Sequence, residues 1–155
     1  MSKQEEVMRN IRNVFNKMVW LNKIKMEASL KDYTSSEVHC IEFIGKSTDP
    51  NVTKLAEAFY MTRGAMSKLT KKLIQKGLIE TYQNPENKKE IYYKLTTQGK
   101  AVFNIHEALH QEFQERDKAV FEQVTEEQWE NMLLIMDRYS QHLDEEIKKL
   151  DNKPE

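Results

Sequence analysis

Apolar residues recur at three- and four-residue steps through both ends of this chain, and the middle breaks that rhythm. Val7, Ile11, Val14, Met18 and Leu21 form one stripe, and Trp129, Met132, Met136, Tyr139, Leu143, Ile147 and Leu150 form another. A 3.6-residue period turns each set onto one face of a helix. Thr125 and Gln128 stand at capping-box spacing, which predicts that the last helix begins there. Val102, Ile105, Leu109 and Phe113 predict a third long helix ahead of it, with its inward side along that stripe. In the middle the segments shorten. Thr34-Ser35-Ser36-Glu37 opens one helix, residues 53–59 read as a short helix, and Tyr60-Met61-Thr62 makes a turn. Residues 63–76 then form a helix capped by Thr62 and closed by Gly77, where a positive φ is easily reached. Beyond Gly77 the period drops to two. Ile91, Tyr93 and Leu95 alternate as a half-buried strand, paired with residues 78–83 across a turn at Asn84-Pro85-Glu86-Asn87-Lys88-Lys89.

Two short helices, a tight turn and a hairpin outline a winged helix-turn-helix, in which the second helix enters the DNA major groove. The predicted class is mainly α, with a small β-hairpin wing and long N- and C-terminal helices. The second helix has two faces. Met66, Leu69 and Leu73 point inward, while Gly64, Ser67, Lys68, Lys71 and Gln75 point away, with Thr62 and Arg63 at its start and Lys72 on the flank. Lysines neutralise phosphate, a serine can reach a base edge, and a glycine permits close approach. Asn87, Lys88 and Lys89 at the wing would hold the sugar-phosphate backbone. The DNA contacts expected are therefore Thr62, Arg63, Gly64, Ser67, Lys68, Lys71, Lys72, Asn87, Lys88 and Lys89. An ordinary lysine-rich solvated face is the competing reading of the helix alone. A winged helix that binds protein would instead carry an apolar or acidic outward face.

Charge distribution favours the nucleic-acid reading. The formal net charge is −1. Residues 51–100 nevertheless hold ten Lys/Arg against four Asp/Glu, while residues 101–155 hold six against fourteen. A positive lobe beside a negative one is the electrostatic footprint of a small DNA binder. A length of 155 residues suits one domain. Its expected division is a DNA-binding lobe over residues 34–96, with 1–30 and 97–150 as dimerisation helices. The two outer stripes exceed what one small lobe can bury, and a two-fold homodimer would use the surplus. No apolar run reaches the length of a membrane span, the N-terminus lacks a signal-peptide pattern, and one cysteine fits a reducing compartment. These point to the cytoplasm and away from a membrane.

The order of elements resembles the MarR-type transcriptional regulators over nearly the whole chain. In that family the wing reads Asp-Pro-x-Asp-Arg/Lys-Arg followed by Leu-x-Leu-Thr or a close variant; here it is Asn84-Pro85-Glu86-Asn87-Lys88-Lys89, ending Lys94-Leu95-Thr96. Asn84 and Asn87 replace acids and Lys89 replaces arginine, so the Asp–Arg pair that often braces that wing is absent, and Lys89 lacks a bidentate fork. The resemblance implies a homodimer, a regulator and not an enzyme, that acts on a pseudopalindromic operator as a repressor. A small-molecule or metal effector would shift the distance between its lobes.

Four further residues bear on that effector. His106-Glu107-Ala108-Leu109-His110 matches H-E-x-x-H, the helix-borne zinc-peptidase motif, with Glu126, Glu127 or Glu130 as a candidate third ligand, yet no segment beyond the wing supplies an active-site sheet. In the zinc-responsive streptococcal repressors of the MarR family, histidines corresponding to His39, His106 and His110 share one zinc. Their fourth ligand is a glutamate on the first helix, for which Glu27 is the nearest candidate and Glu37 a substitute. Zinc accepts such an N/O set in a tetrahedron. Packing histidines at helix boundaries are the alternative, and both stay open. Cys40, beside His39 and near Ile41 and Ile44, reads as a small buried hydrophobe and not as a redox sensor.

Overall fold

The structure, a computed structural model, describes residues 1–151. Six helices and one hairpin follow in order: α1 (Lys3–Ser29), α2 (Ser35–Lys46), α3 (Val52–Ala58), α4 (Arg63–Gln75), β1 (Ile79–Asn84), β2 (Asn87–Leu95), α5 (Thr97–Phe121) and α6 (Glu126–Asp151). Two compact units divide the chain, Met1–Phe113 and the stretch from Gln114 onward, with the boundary inside α5.

Local chemistry sets the helix starts. Thr34 and Glu37 make a capping box at α2, with Glu37 N–H donating to Thr34 Oγ1 at 3.2 Å. Thr62 caps α4 by accepting from Ala65 N–H at 3.1 Å, and Gly77 ends that helix at φ 72°. The turn between α3 and α4 is sharpened by Tyr60, a non-glycine residue at φ 53°. Each cap satisfies a backbone N–H that the first turn would otherwise leave unpaired.

The core of the first unit gathers one face of each short helix. Ile41, Leu55, Met66, Leu73, Leu78 and Ile79 are essentially sealed from solvent, and Val38, Ile44, Val102, Leu109 and Phe113 surround them. The inward line of α5 differs from the predicted one. His106 is 2% exposed and Ile105 42%. The polar residue, not the isoleucine, occupies the arc shared with Val102, Leu109 and Phe113.

The wing also departs from expectation. The six-residue turn predicted at 84–89 is a two-residue turn, because Asn84 pairs with Asn87 and β2 begins there. Side-chain caps make so short a turn workable. Asn84 Oδ1 accepts from Glu86 N–H at 3.1 Å, and Asn87 Oδ1 accepts from Lys89 N–H at 3.3 Å. A register irregularity between Tyr82 and Asn84 absorbs the offset. Alternation in β2 holds in part: Tyr93 and Leu95 are half-buried against the core as expected, whereas Ile91 is exposed and Tyr92 is buried against Tyr82, with ring centroids 5.5 Å apart. Tyr93 N–H donates to Pro50 O at 2.9 Å and Tyr93 Oη to Thr70 Oγ1 at 3.3 Å, which fastens the hairpin to the helices.

In the second unit α6 begins at the predicted box, with Gln128 N–H donating to Thr125 Oγ1 and Thr125 N–H to Gln128 Oε1. Phe121 and Trp129 stack with centroids 5.7 Å apart. Among the described residues, neither α1 nor the second unit buries any side chain fully. No helix among the described residues is long and apolar enough to cross a membrane.

Candidate nucleic-acid interface and effector site

Helix α4 turns Met66, Thr70 and Leu73 into the core and leaves Arg63, Gly64, Lys68, Lys71 and Lys72 exposed, with Ser67 half-buried. Thr62 is exposed at its N-cap. The first turn carries no acidic residue, so its backbone N–H groups face outward beside Arg63 without a competing carboxylate. A Cβ added at Gly64 would meet nothing within 4 Å, so no internal contact calls for glycine there. Asn87, Lys88 and Lys89 are exposed at the start of β2, immediately after the turn. Lys72 behaves differently from its neighbours, since its Nζ lies 3.6 Å from the carboxylate of the fully buried Glu37.

A second cluster forms where α2 faces α5. His106 Nε2 lies 3.1 Å from His110 Nε2, and Glu42 Oε2 lies 3.6 Å from His106 Nδ1. The ligand atoms of Glu42, His106 and His110 fall within 4.8 Å of one another. His106 Nδ1 is buried and has no hydrogen-bond partner. Burial, then the neighbouring His110, holds the His106 imidazole below its ordinary pKa, which keeps it neutral and able to ligate. Burial alone would raise the Glu42 carboxyl, but the Lys46 hydrogen bond and the histidines hold it below the usual range.

The other expected ligands sit elsewhere. His39 is exposed with its ring centroid 6.3 Å from that of His106, and it stands outside the three-residue group. Glu27 pairs with Lys23 one turn away on α1, and Glu37 is engaged by lysines of α4. Glu42 is the residue that sequence reasoning missed. Its one signal was a position three after His39 on the same helix, which says nothing about what α5 brings opposite. Glu107, the central residue of the H-E-x-x-H string, is tied to Lys46 at 2.9 Å. Cys40 is buried 3.9 Å from Met66 Sδ, and burial together with the Glu37 charge pushes its thiol up to about 11. That thiol stays protonated and unreactive.

Paired short helices with a hairpin wing fastened beside the second define a winged helix-turn-helix protein. Residues 33–91 match the model of the MarR family. The chain is 33% identical over 109 residues to YhjH, an uncharacterized HTH-type transcriptional regulator of Bacillus subtilis, a match covering 70% of this chain and 62% of that protein. It thus spans about three fifths of that relative's length. Its fold is similar to Streptococcus pneumoniae FabT in complex with DNA, with a TM-score of 0.76 and 21% identity over 92% of this chain and 99% of that one. The MepR–DNA complex of S. aureus gives 0.70 and 22% over 92% and 99%. Residues 33–91 thus form a MarR-family segment, and the regulators that the chain resembles are of the helix-turn-helix type.

Proposed function

We propose that this chain is a cytoplasmic, homodimeric regulator that represses transcription by binding a pseudopalindromic operator, α4 reading the major groove and the wing lysines holding the backbone beside it. The observation that carries this reading is the outward face of α4. Thr62, Arg63, Gly64, Lys68 and Lys71 are presented to solvent with no acidic residue in the first turn. Gly64 is the second residue of α4, and glycine is a poorer helix former than alanine by up to about 1 kcal/mol. With nothing inside the molecule needing one at 64, close approach to a phosphate is the reason that fits. FabT and MepR, which share the fold, are described in complex with DNA. Dimerisation is supported by the apolar stripes of α1 and α6. Val7, Val14 and Met18 on the first, and Met132, Met136 and Tyr139 on the second, are all more than 40% exposed in the single chain. Solvent-facing apolar residues in such rows mark an association surface.

The test is a binding titration on duplexes selected by the protein from a random pool, repeated across salt concentrations. Counterion release makes log K fall with log salt by about 0.9 per neutralised phosphate. Arg63, Lys68, Lys71, Lys88 and Lys89 of two copies would then give a slope of roughly −9. Failure to enrich any duplex, or affinity indifferent to salt, overturns the reading.

A second reading concerns the effector, and the gathering of one ligand atom each from Glu42, His106 and His110 within 4.8 Å favours it. Zinc takes imidazole nitrogen and carboxylate oxygen at about 2.0–2.2 Å, which sets neighbouring ligands about 3.3 Å apart. The 3.1 Å between His106 and His110 suits that spacing. Glu42, His106 and His110 would hold the ion, with His39 or water completing the shell, and Glu27 stays with Lys23. Bound zinc would cross-link α2 to α5 and so favour one lobe position over another, as an effector must. A small organic effector is the other candidate of this class. Elemental analysis after zinc addition and gel filtration is expected to find about one zinc per chain, with none in His106→Ala and reduced loading in Glu42→Gln. A parent protein without metal retires this reading.

A further inference from the structure

Lys76, at the C-cap of α4, sends its ammonium to the corner between α1 and α2. Its Nζ lies 2.7 Å from Glu37 Oε2, 3.5 Å from the Asp32 carbonyl oxygen and 5.7 Å from the centre of the Tyr33 ring. Glu37 is fully buried and also takes Lys72 at 3.6 Å. Its carboxylate is committed on the other side to the backbone N–H of Thr34, so the same group caps α2 and grips α4. The corner itself is tight: Leu30 is buried at the end of α1, and Tyr33 N–H donates to its carbonyl at 3.1 Å.

We propose that Lys76 and Glu37 are positioning residues that clamp the DNA-reading helix to the corner where α1 gives way to α2, and so set the separation of the two reading helices in the dimer. The inference rests on the homodimer proposed above. A buried ion pair is weak evidence for added stability, because desolvation offsets most of the attraction. It does fix geometry, since Glu37 has no access to solvent and a departing Lys76 would leave its buried carboxylate to Lys72 alone. Here the fixed pair joins the first turn of α2, which follows a short corner after the uncovered apolar α1, to the segment that ends the reading helix. Neither Lys76 nor Glu37 faces the expected DNA surface, so their effect on binding would be indirect.

The experiment measures the distance between the two copies of α4. Ala65 is exposed in the first turn, and Cys40 is 1% exposed, so a nitroxide added to the Ala65→Cys protein labels one site per chain. Double electron–electron resonance is expected to give a single narrow intermolecular distance. Glu37→Gln with Lys76→Met removes both charges at once and keeps the capping amide and the aliphatic stem. That double variant should retain its helical circular dichroism while its distance distribution becomes about twice as wide or shifts, as expected of a freed rigid-body joint. Operator affinity should fall about tenfold with the salt slope unchanged, because no phosphate contact is lost. Lys76→Arg, which keeps charge and reach, should restore the narrow distribution. If the double variant does not fold, Glu37→Gln alone is held to the same outcomes. An unaltered distance and affinity in a folded variant overturns the clamp. No intermolecular coupling in the parent protein overturns the dimer reading itself, and the clamp's role in spacing with it.

Discussion

The Lys68→Glu/Lys71→Glu protein is expected to leave operator DNA free at concentrations where the parent saturates it, while still eluting as a dimer. Both side chains are exposed on the outer face of α4, and neither forms an ion pair among the described residues. Their replacement therefore disturbs no internal contact, and exposed substitutions of that kind stay within about 0.5 kcal/mol of the parent's stability. Binding is another matter. Two copies lose four cations, so the log–log salt slope should shrink by about 3.6, and affinity near physiological salt should drop by about 10³ or more. Carboxylates now face phosphates, which adds repulsion to the lost attraction. Anisotropy titration and light scattering on the same samples separate the two properties. Lys72→Glu makes an informative contrast, because Lys72 lies 3.6 Å from buried Glu37 and a glutamate there would confront a carboxylate inside the protein. Its damage should appear in the unfolding midpoint as well as in binding. Undiminished capture by the Lys68/Lys71 double variant would remove α4 from the interface.

What the sequence made legible was local. Thr34, Thr62 and Thr125 cap helices that begin where the hydroxyl-then-Glu/Gln or hydroxyl-then-amphipathic spacing placed them, and Gly77 takes the positive φ expected of it. A cap depends on atoms three residues apart, so a linear reading contains it. The wing's register was less legible, because two asparagine side chains folding onto their own backbone decide it, and asparagine does so only in some contexts. The inward line of α5 was readable and was read one position off. Measured about the helix axis, His106 lies about 40° from the mean direction of Val102, Leu109 and Phe113, and Ile105 about 60°. Hydrophobicity favoured the isoleucine, whereas geometry favoured the histidine. Glu42 opposite His106, and Lys76 against Glu37, were out of reach because each pairing comes from the packing of separate elements. The exposed side chains expected on α4 needed no tertiary knowledge beyond that helix's own polarity.

Gly99→Ala should be the most destabilising single-methyl change in the chain, although it adds a good helix former to a helix. An ideal Cβ at Gly99 would stand 1.9 Å from the Leu78 carbonyl oxygen and 3.0 Å from its carbon. Backbone, not a rotatable side chain, occupies the space. The Leu78 carbonyl cannot retreat cheaply, since it accepts from Thr96 N–H at 3.1 Å and its residue is sealed in the core. Thr96 in turn donates its hydroxyl to Gly77 O at 2.6 Å and accepts from Gly99 N–H at 3.0 Å. To admit the methyl, the first turn of α5 must lift from the start of β1, losing these bonds together with the packing of Val102 behind them. Overpacking with backbone displacement costs about 3–5 kcal/mol, the upper end of single-site effects. For a chain this long that lowers the melting midpoint by roughly 10 °C or more. The internal control is Gly64→Ala, where the added methyl meets open space. There the midpoint should rise slightly, by at most the roughly 1 kcal/mol that separates the two residues in a helix interior, while operator affinity falls because the methyl occupies the proposed phosphate approach. Opposite signs of stability change at the two glycines would separate one required by packing from one required by a partner, and a Gly99→Ala midpoint equal to the parent's would contradict the close contact between α5 and Leu78.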